Sequence, residues 1–69
     1  MNIFEAIKKG DAILREIGIK SHKIDSEILM SRVIKKNRAD IILNSKNELS
    51  QKDYNLYENL IIQRSKQKP

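Results

Sequence analysis

Seven apolar or small residues, Ile3, Ala6, Ile7, Gly10, Ile13, Leu14 and Ile17, recur at spacings of three and four at the start of the chain. At about 100° per residue they fall within one arc of about 120°, the signature of a helix with one packed face. Lys8, Lys9, Asp11, Arg15 and Glu16 lie outside that arc. Period-two alternation of any length is missing from the rest of the sequence, so strands are not expected and the fold class is all-α. Helix 1 is predicted from about Ile3 to Ile17. Asn2 and Glu5 make a capping box at its start, Gly18 supplies a left-handed stop, and Ile19 folds back onto Leu14.

Three further helices carry their own punctuation. Helix 2 is predicted after Ser21 to near Lys36, with Leu29, Met30, Val33 and Ile34 on one side and Ile24 and Ile28 on the other. A helix apolar on two sides packs on two sides, which places it centrally. Asn37 and Asp40 open a short helix from Arg38 to about Leu43, followed by the turn residues Asn44-Ser45-Lys46-Asn47. Ser50 and Asp53 open the last helix, with Leu49 set to staple onto Tyr54. That helix presents Tyr54, Tyr57, Leu60, Ile61 and Arg64 at spacings of three and four. The predicted architecture is a small antiparallel bundle of three long helices plus one short one, a single domain over residues 1–69.

The chain has 69 residues and no cysteine, which removes disulfides, thiolate ligands and cysteine nucleophiles together and fits a reducing compartment. No apolar run approaches the roughly 18 residues a membrane span needs, and the N-terminus does not read as a secretory signal. Fourteen Lys and Arg against nine Asp and Glu give a net charge of +5. Residues 18–47 hold seven bases and three acids, which concentrates the excess there. Long-range attraction for nucleic acid or an acidic protein follows from such a balance. Lysine outnumbers arginine ten to four, however, and lysine is a flexible point charge rather than a bidentate reader.

Catalytic chemistry finds little material. His22, the only imidazole, sits among polar residues in the first turn of helix 2, where a surface position is expected and no second His or Cys can complete a metal site. Asp25 and Glu27 are two apart and diverge around a helix, and the remaining acids pair with nearby bases: Glu5 with Lys9, Asp11 with Arg15, Glu16 with Lys20. Gly10 is expected at a close helix approach and Gly18 at a helix stop, so no glycine-rich cofactor loop is present. Arg32, Lys35, Lys36 and Arg38 around the second corner form the best partner-binding candidate. Against a DNA reader, Arg38-Ala39-Asp40-Ile41-Ile42-Leu43 offers one base, one acid and three large apolar residues, a composition suited to a core. Phe4, Tyr54 and Tyr57 are expected on packed faces, not interleaved with the bases. A stand-alone module for RNA or DNA is the alternative reading, and nucleic acid is disfavoured.

End to end, the order of these pieces resembles the N-terminal domain of the HemK/PrmC family of release factor glutamine methyltransferases. The pieces are Leu14-Arg15-Glu16-Ile17-Gly18-Ile19, Ser21 to Ile24 leading into Asp25-Ser26-Glu27-Ile28-Leu29-Met30, the Arg38 to Leu43 segment, Leu49-Ser50, and Arg64 with Pro69. Ser26 stands where alanine is frequent in the family, and Lys68 replaces the usual acid before the proline. The resemblance implies a cytoplasmic enzyme that moves a methyl group from S-adenosylmethionine to the glutamine of the Gly-Gly-Gln loop of class-1 release factors. It also implies that the cofactor loop and the Asn-Pro-Pro-Tyr motif lie in a later Rossmann-like domain. No catalytic or cofactor residue is therefore carried over to this segment. Its implied role is an accessory bundle that helps seat the release factor, with residues 65–69 beginning the interdomain linker.

Overall fold

Asn2, Asn37 and Ser50 each stand immediately ahead of a helix, and each accepts a hydrogen bond from the amide three residues on. The distances are 2.7 Å from Glu5, 2.8 Å from Asp40 and 3.1 Å from Asp53. In the computed structural model, which describes residues 1–67, these caps open α1 (Ile3–Glu16), α3 (Arg38–Leu43) and α4 (Gln51–Ser65). At Asn2 the box is closed, because its own amide donates to the Glu5 carboxylate at 2.9 Å. A cap of this kind stabilises a helix by about 1 kcal/mol. The remaining helix, α2 (His22–Ile34), starts without one. Ser21 gives its hydroxyl instead to the Asp25 carboxylate at 2.7 Å.

The stops follow the same local logic, with one exception. Gly18 takes φ +86°, its amide reaches the Arg15 carbonyl at 3.0 Å, and the Ile19 amide reaches the Leu14 carbonyl at 3.1 Å. This is the expected Schellman turn, and Ile19 and Leu14 are both buried. At the second corner the expected end near Lys36 is two residues long. Lys35 is left-handed at φ 57°, and both it and Lys36 donate backward to the Ser31 carbonyl. Asn37 must be extended to cap α3, so the chain has to reverse before it, and a lysine carries the strain a glycine would avoid. Lys35 and Lys36 therefore lie past the helix; the last-turn base is Arg32.

Packing makes α2 the centre, since α1, α3 and α4 all touch it, while α1 also lies against α4. The two-sided apolar pattern of α2 is only part of the cause. Leu29 and Met30 are buried, but Ile24 is half exposed, and the second packed side is made by Ser26. The Ser26 hydroxyl is satisfied by the Lys23 carbonyl at 2.8 Å, so this small residue is buried without penalty. The Tyr57 hydroxyl donates to the Ser26 carbonyl at 3.0 Å. Tyr57 also closes over Gly10, so α1, α2 and α4 meet at one residue. Around it the core is completed by Ile3, Ala6 and Leu14 of α1, Ile41 of α3, Leu49, and Ile61 of α4.

No strand forms among the described residues, but the entry to α1 is tied like one. Asn2 and Glu48 make a single antiparallel bridge. The amides of Ile3 and Phe4, orphaned by their place at a helix start, donate to the carbonyls of Asn47 at 3.0 Å and Ser45 at 2.8 Å. Leu49 donates to the Met1 carbonyl at 2.9 Å. These bonds hold the loop after α3 against the first turn of α1. Of the expected linker residues 65–69, Ser65 still belongs to α4, and Lys68 and Pro69 lie outside the described residues.

Candidate functional site

Three consecutive helical residues sweep about 200° around the axis, so a helix as short as α3 cannot turn Ile41, Ile42 and Leu43 toward one partner. Ile41 is buried at 1 % exposure; Ile42 and Leu43 are 62 % and 81 % exposed. The expectation that this segment packs as a unit fails for its last two residues. Phe4 is a second correction. It sits one residue round from the buried Ile3 and is 52 % exposed, with the Lys8 ammonium 5.6 Å from its ring centroid. Of the three aromatics expected on packed faces, Tyr57 is buried and Tyr54 half-buried.

Phe4 and Ile42 face the same space, a cleft of about 570 Å³ between α1, the first half of α2, and α3. Ile7 and Ile41 contribute its apolar floor. The walls are charged, and their charges are mostly spoken for. His22 is not a free surface residue, because its Nδ1 lies 2.5 Å from Asp11 Oδ1 and both side chains are about three-quarters covered. The Schellman turn brings the start of α2 beside the third turn of α1, so Asp11 reaches across to His22 and not along α1 to Arg15. Glu27 accepts two bonds from Arg38, at 3.1 Å from Nε and 2.7 Å from Nη2. Arg15 and Lys23, which also line the cleft, have no ion-pair partner among the described residues. Arg38 offsets Glu27 and His22 holds Asp11 by a hydrogen bond, so the three bases Arg15, Lys23 and Arg38 outnumber the two acids around the cleft.

Nothing in this arrangement assembles a nucleophile. The Ser21 hydroxyl goes to Asp25 and the Ser26 hydroxyl to the Lys23 carbonyl, so neither faces His22. Among the described residues no cluster of three His, Cys, Asp or Glu side chains could hold a metal ion, and no helix is long and apolar enough to cross a membrane. Both glycines are used by the fold, Gly10 beneath Tyr57 and Gly18 as a stop.

The four bases singled out by charge are all exposed, yet the structure does not gather them on one wall. Arg38 is held by Glu27. Arg32 borders a separate notch beside the ion pair in which Arg64 Nε donates to Asp25 Oδ2 at 3.0 Å. Asp25 and Glu27 diverge, as their spacing requires, each to an arginine on a different element. Local pairing of Glu5 with Lys9 and Glu16 with Lys20 is replaced: Glu5 serves the Asn2 cap, and Glu16 has no partner among the described residues. The cleft residues Phe4, Ile7 and Ile42 carry no chemical motif. The signal in the sequence for Ile42 is the run of three large apolar residues, more than so short a helix as α3 can bury.

Comparison with known proteins gives a family match over most of the chain. A family described as the PrmC N-terminal domain matches residues 5–69. A release factor glutamine methyltransferase of Leptospira interrogans serogroup Icterohaemorrhagiae serovar Lai (strain 56601) is 31 % identical over 68 residues. That match takes in 99 % of this chain and 24 % of the relative, so the chain spans about a quarter of the relative's length. No solved structure matches significantly. Four helices in the expected order, an all-α core, and a family match running from the first turn of α1 to the last residue place this chain in the family of PrmC N-terminal domains.

Proposed function

We propose that this bundle is the substrate-recognition part of a release factor glutamine methyltransferase. It seats a class-1 release factor, while methyl transfer from S-adenosylmethionine is carried out by a Rossmann-like domain of the same enzyme. The reading is supported by the family match over residues 5–69 and by the activity named for the Leptospira relative. The observation that carries it is that match, which spans the four helices and the core they enclose. In this reading residues 1–69 are one domain of a cytoplasmic enzyme and residues 65–69 begin its linker. The exposed corner of Arg32, Lys35, Lys36 and Arg38 then contributes long-range attraction, which raises association rates more than it holds a complex together.

Calorimetric titration separates recognition from chemistry. The 69-residue chain should give a saturable heat with a class-1 release factor and none with S-adenosylmethionine. Binding of S-adenosylmethionine to this segment alone would overturn the proposal.

A further inference from the structure

We infer that the cleft between α1, α2 and α3 anchors an acidic segment of the protein partner that carries a large apolar side chain. The inference rests on the recognition role proposed above and assigns that role to a surface. Phe4 and Ile42 hold large apolar side chains in water at the mouth of a cleft whose floor, Ile7 and Ile41, is also apolar. Its volume of about 570 Å³ lies within the range of ordinary binding pockets and takes more than one side chain. The site is preformed. The bonds from the Ile3 and Phe4 amides to Asn47 and Ser45 fix the loop after α3 to α1, and the Asp11–His22 contact fixes α1 to α2.

Charge selects the occupant. Glu27 is paired with Arg38 and Asp11 is hydrogen-bonded to His22, whereas Arg15 and Lys23 have no ion-pair partner among the described residues, so an incoming anion meets two unpaired cations. A nucleic acid is a poor fit to the same walls. Its phosphates would run past the two carboxylates, and the two rings there on which a base could stack are already engaged, Phe4 by the Lys8 ammonium and His22 by Asp11. A protein segment avoids both problems, placing one apolar side chain on the floor and a carboxylate beside Arg15 or Lys23.

The test uses this chain and the class-1 release factor of the same organism, with affinities measured at several salt concentrations. Ile42→Asp puts a charge at a position already in solvent, so the fold should survive, and circular dichroism checks that it does. Expected is a loss of at least about tenfold in affinity, the behaviour of an anchor residue. The double variant Arg15→Glu/Lys23→Glu should weaken binding and flatten its salt dependence. Leu56→Ser, exposed on α4 and outside the cleft, should stay within about twofold of the parent. Release-factor binding that stays within about twofold in both cleft variants overturns the inference and leaves the recognition role standing. No binding by the unaltered chain overturns both. A single-stranded RNA of 20 nucleotides, used as a probe, that binds with Arg15 and Lys23 dependence but is indifferent to Ile42→Asp would instead assign the cleft to nucleic acid.

Discussion

Tyr57→Ala is expected to leave the chain largely unfolded at 25 °C. Tyr57 is buried at 1 % exposure, its ring closes over Gly10, and its hydroxyl is bonded to the Ser26 carbonyl of α2. Truncating a buried aromatic costs about 3–5 kcal/mol through lost burial and the cavity left behind. A single core in a chain this short rarely supplies more than about 3–5 kcal/mol in total. The cost therefore matches the whole margin. Urea titration followed by helical ellipticity reads the result, and a cooperative transition with an unchanged midpoint would contradict the central place given to Tyr57. The same burial pushes the Tyr57 phenol well above its ordinary 10.0, with the nearby Asp11, Tyr54 and Glu27 adding to the effect. The folded state thus favours the neutral phenol. Its contribution is complete below about pH 10 and is lost as pH rises above that, because the unfolded chain releases the proton first. Tyr57→Phe should remove this part of the alkaline loss at a cost of about 1 kcal/mol at neutral pH.

The second large effect comes from one added carbon. At an open helical site Gly→Ala gains up to about 1 kcal/mol. At Gly10 the new Cβ would lie 2.9 Å from Ile61 Cδ1 and from Tyr57 Cζ, and closer still to the Tyr57 hydroxyl. Overpacking of this kind costs about 1–3 kcal/mol, and pushing the hydroxyl aside also strips its bond to Ser26, worth about 1 kcal/mol more. The clash outweighs the propensity gain, and Gly10→Ala should destabilise the fold by about 1–3 kcal/mol. Part of that clash is the hydroxyl itself. The double variant Gly10→Ala/Tyr57→Phe should therefore lose less than the two single variants added together, by at least about 0.5 kcal/mol. Strictly additive losses in chemical denaturation would show that the two residues do not meet as described. Gly18 makes the contrast. A Cβ there meets nothing within 4 Å, so Gly18→Ala carries only the backbone strain of φ +86°.

What was legible in the sequence was legible where the cause is local. Asn2, Asn37 and Ser50 cap because a short polar side chain reaches the third amide whatever surrounds it. Gly18 stops α1, and Gly10 on an apolar arc announces a close neighbour. The end of α2 was hidden, because the strain at Lys35 is imposed by the cap that follows and not by the lysine. The ion pairs were hidden too. Spacing along one helix favours Asp11 with Arg15, but three-dimensional proximity joins Asp11 to His22, Asp25 to Arg64 and Glu27 to Arg38, across 11, 39 and 11 positions. The cleft was least legible, since residue type alone sends Phe4, Ile42 and Leu43 inward. The shortness of α3 leaves Ile42 and Leu43 outside, and Phe4 stays out because its neighbour Ile3 takes the packed side of α1. The family resemblance rested on the order of many individually ordinary pieces, and the family match covers residues 5–69.

One measurement reaches the centre of the account: amide chemical shifts of the isotope-labelled 69-residue chain, recorded during titration first with S-adenosylmethionine and then with the release factor. The expected result is an unchanged spectrum with the cofactor, followed by shifts concentrated at the start of α1, the first half of α2, and α3, around Phe4, Ile7, Lys23 and Ile42. Shifts on adding S-adenosylmethionine, or a spectrum that does not respond to the release factor, would contradict it.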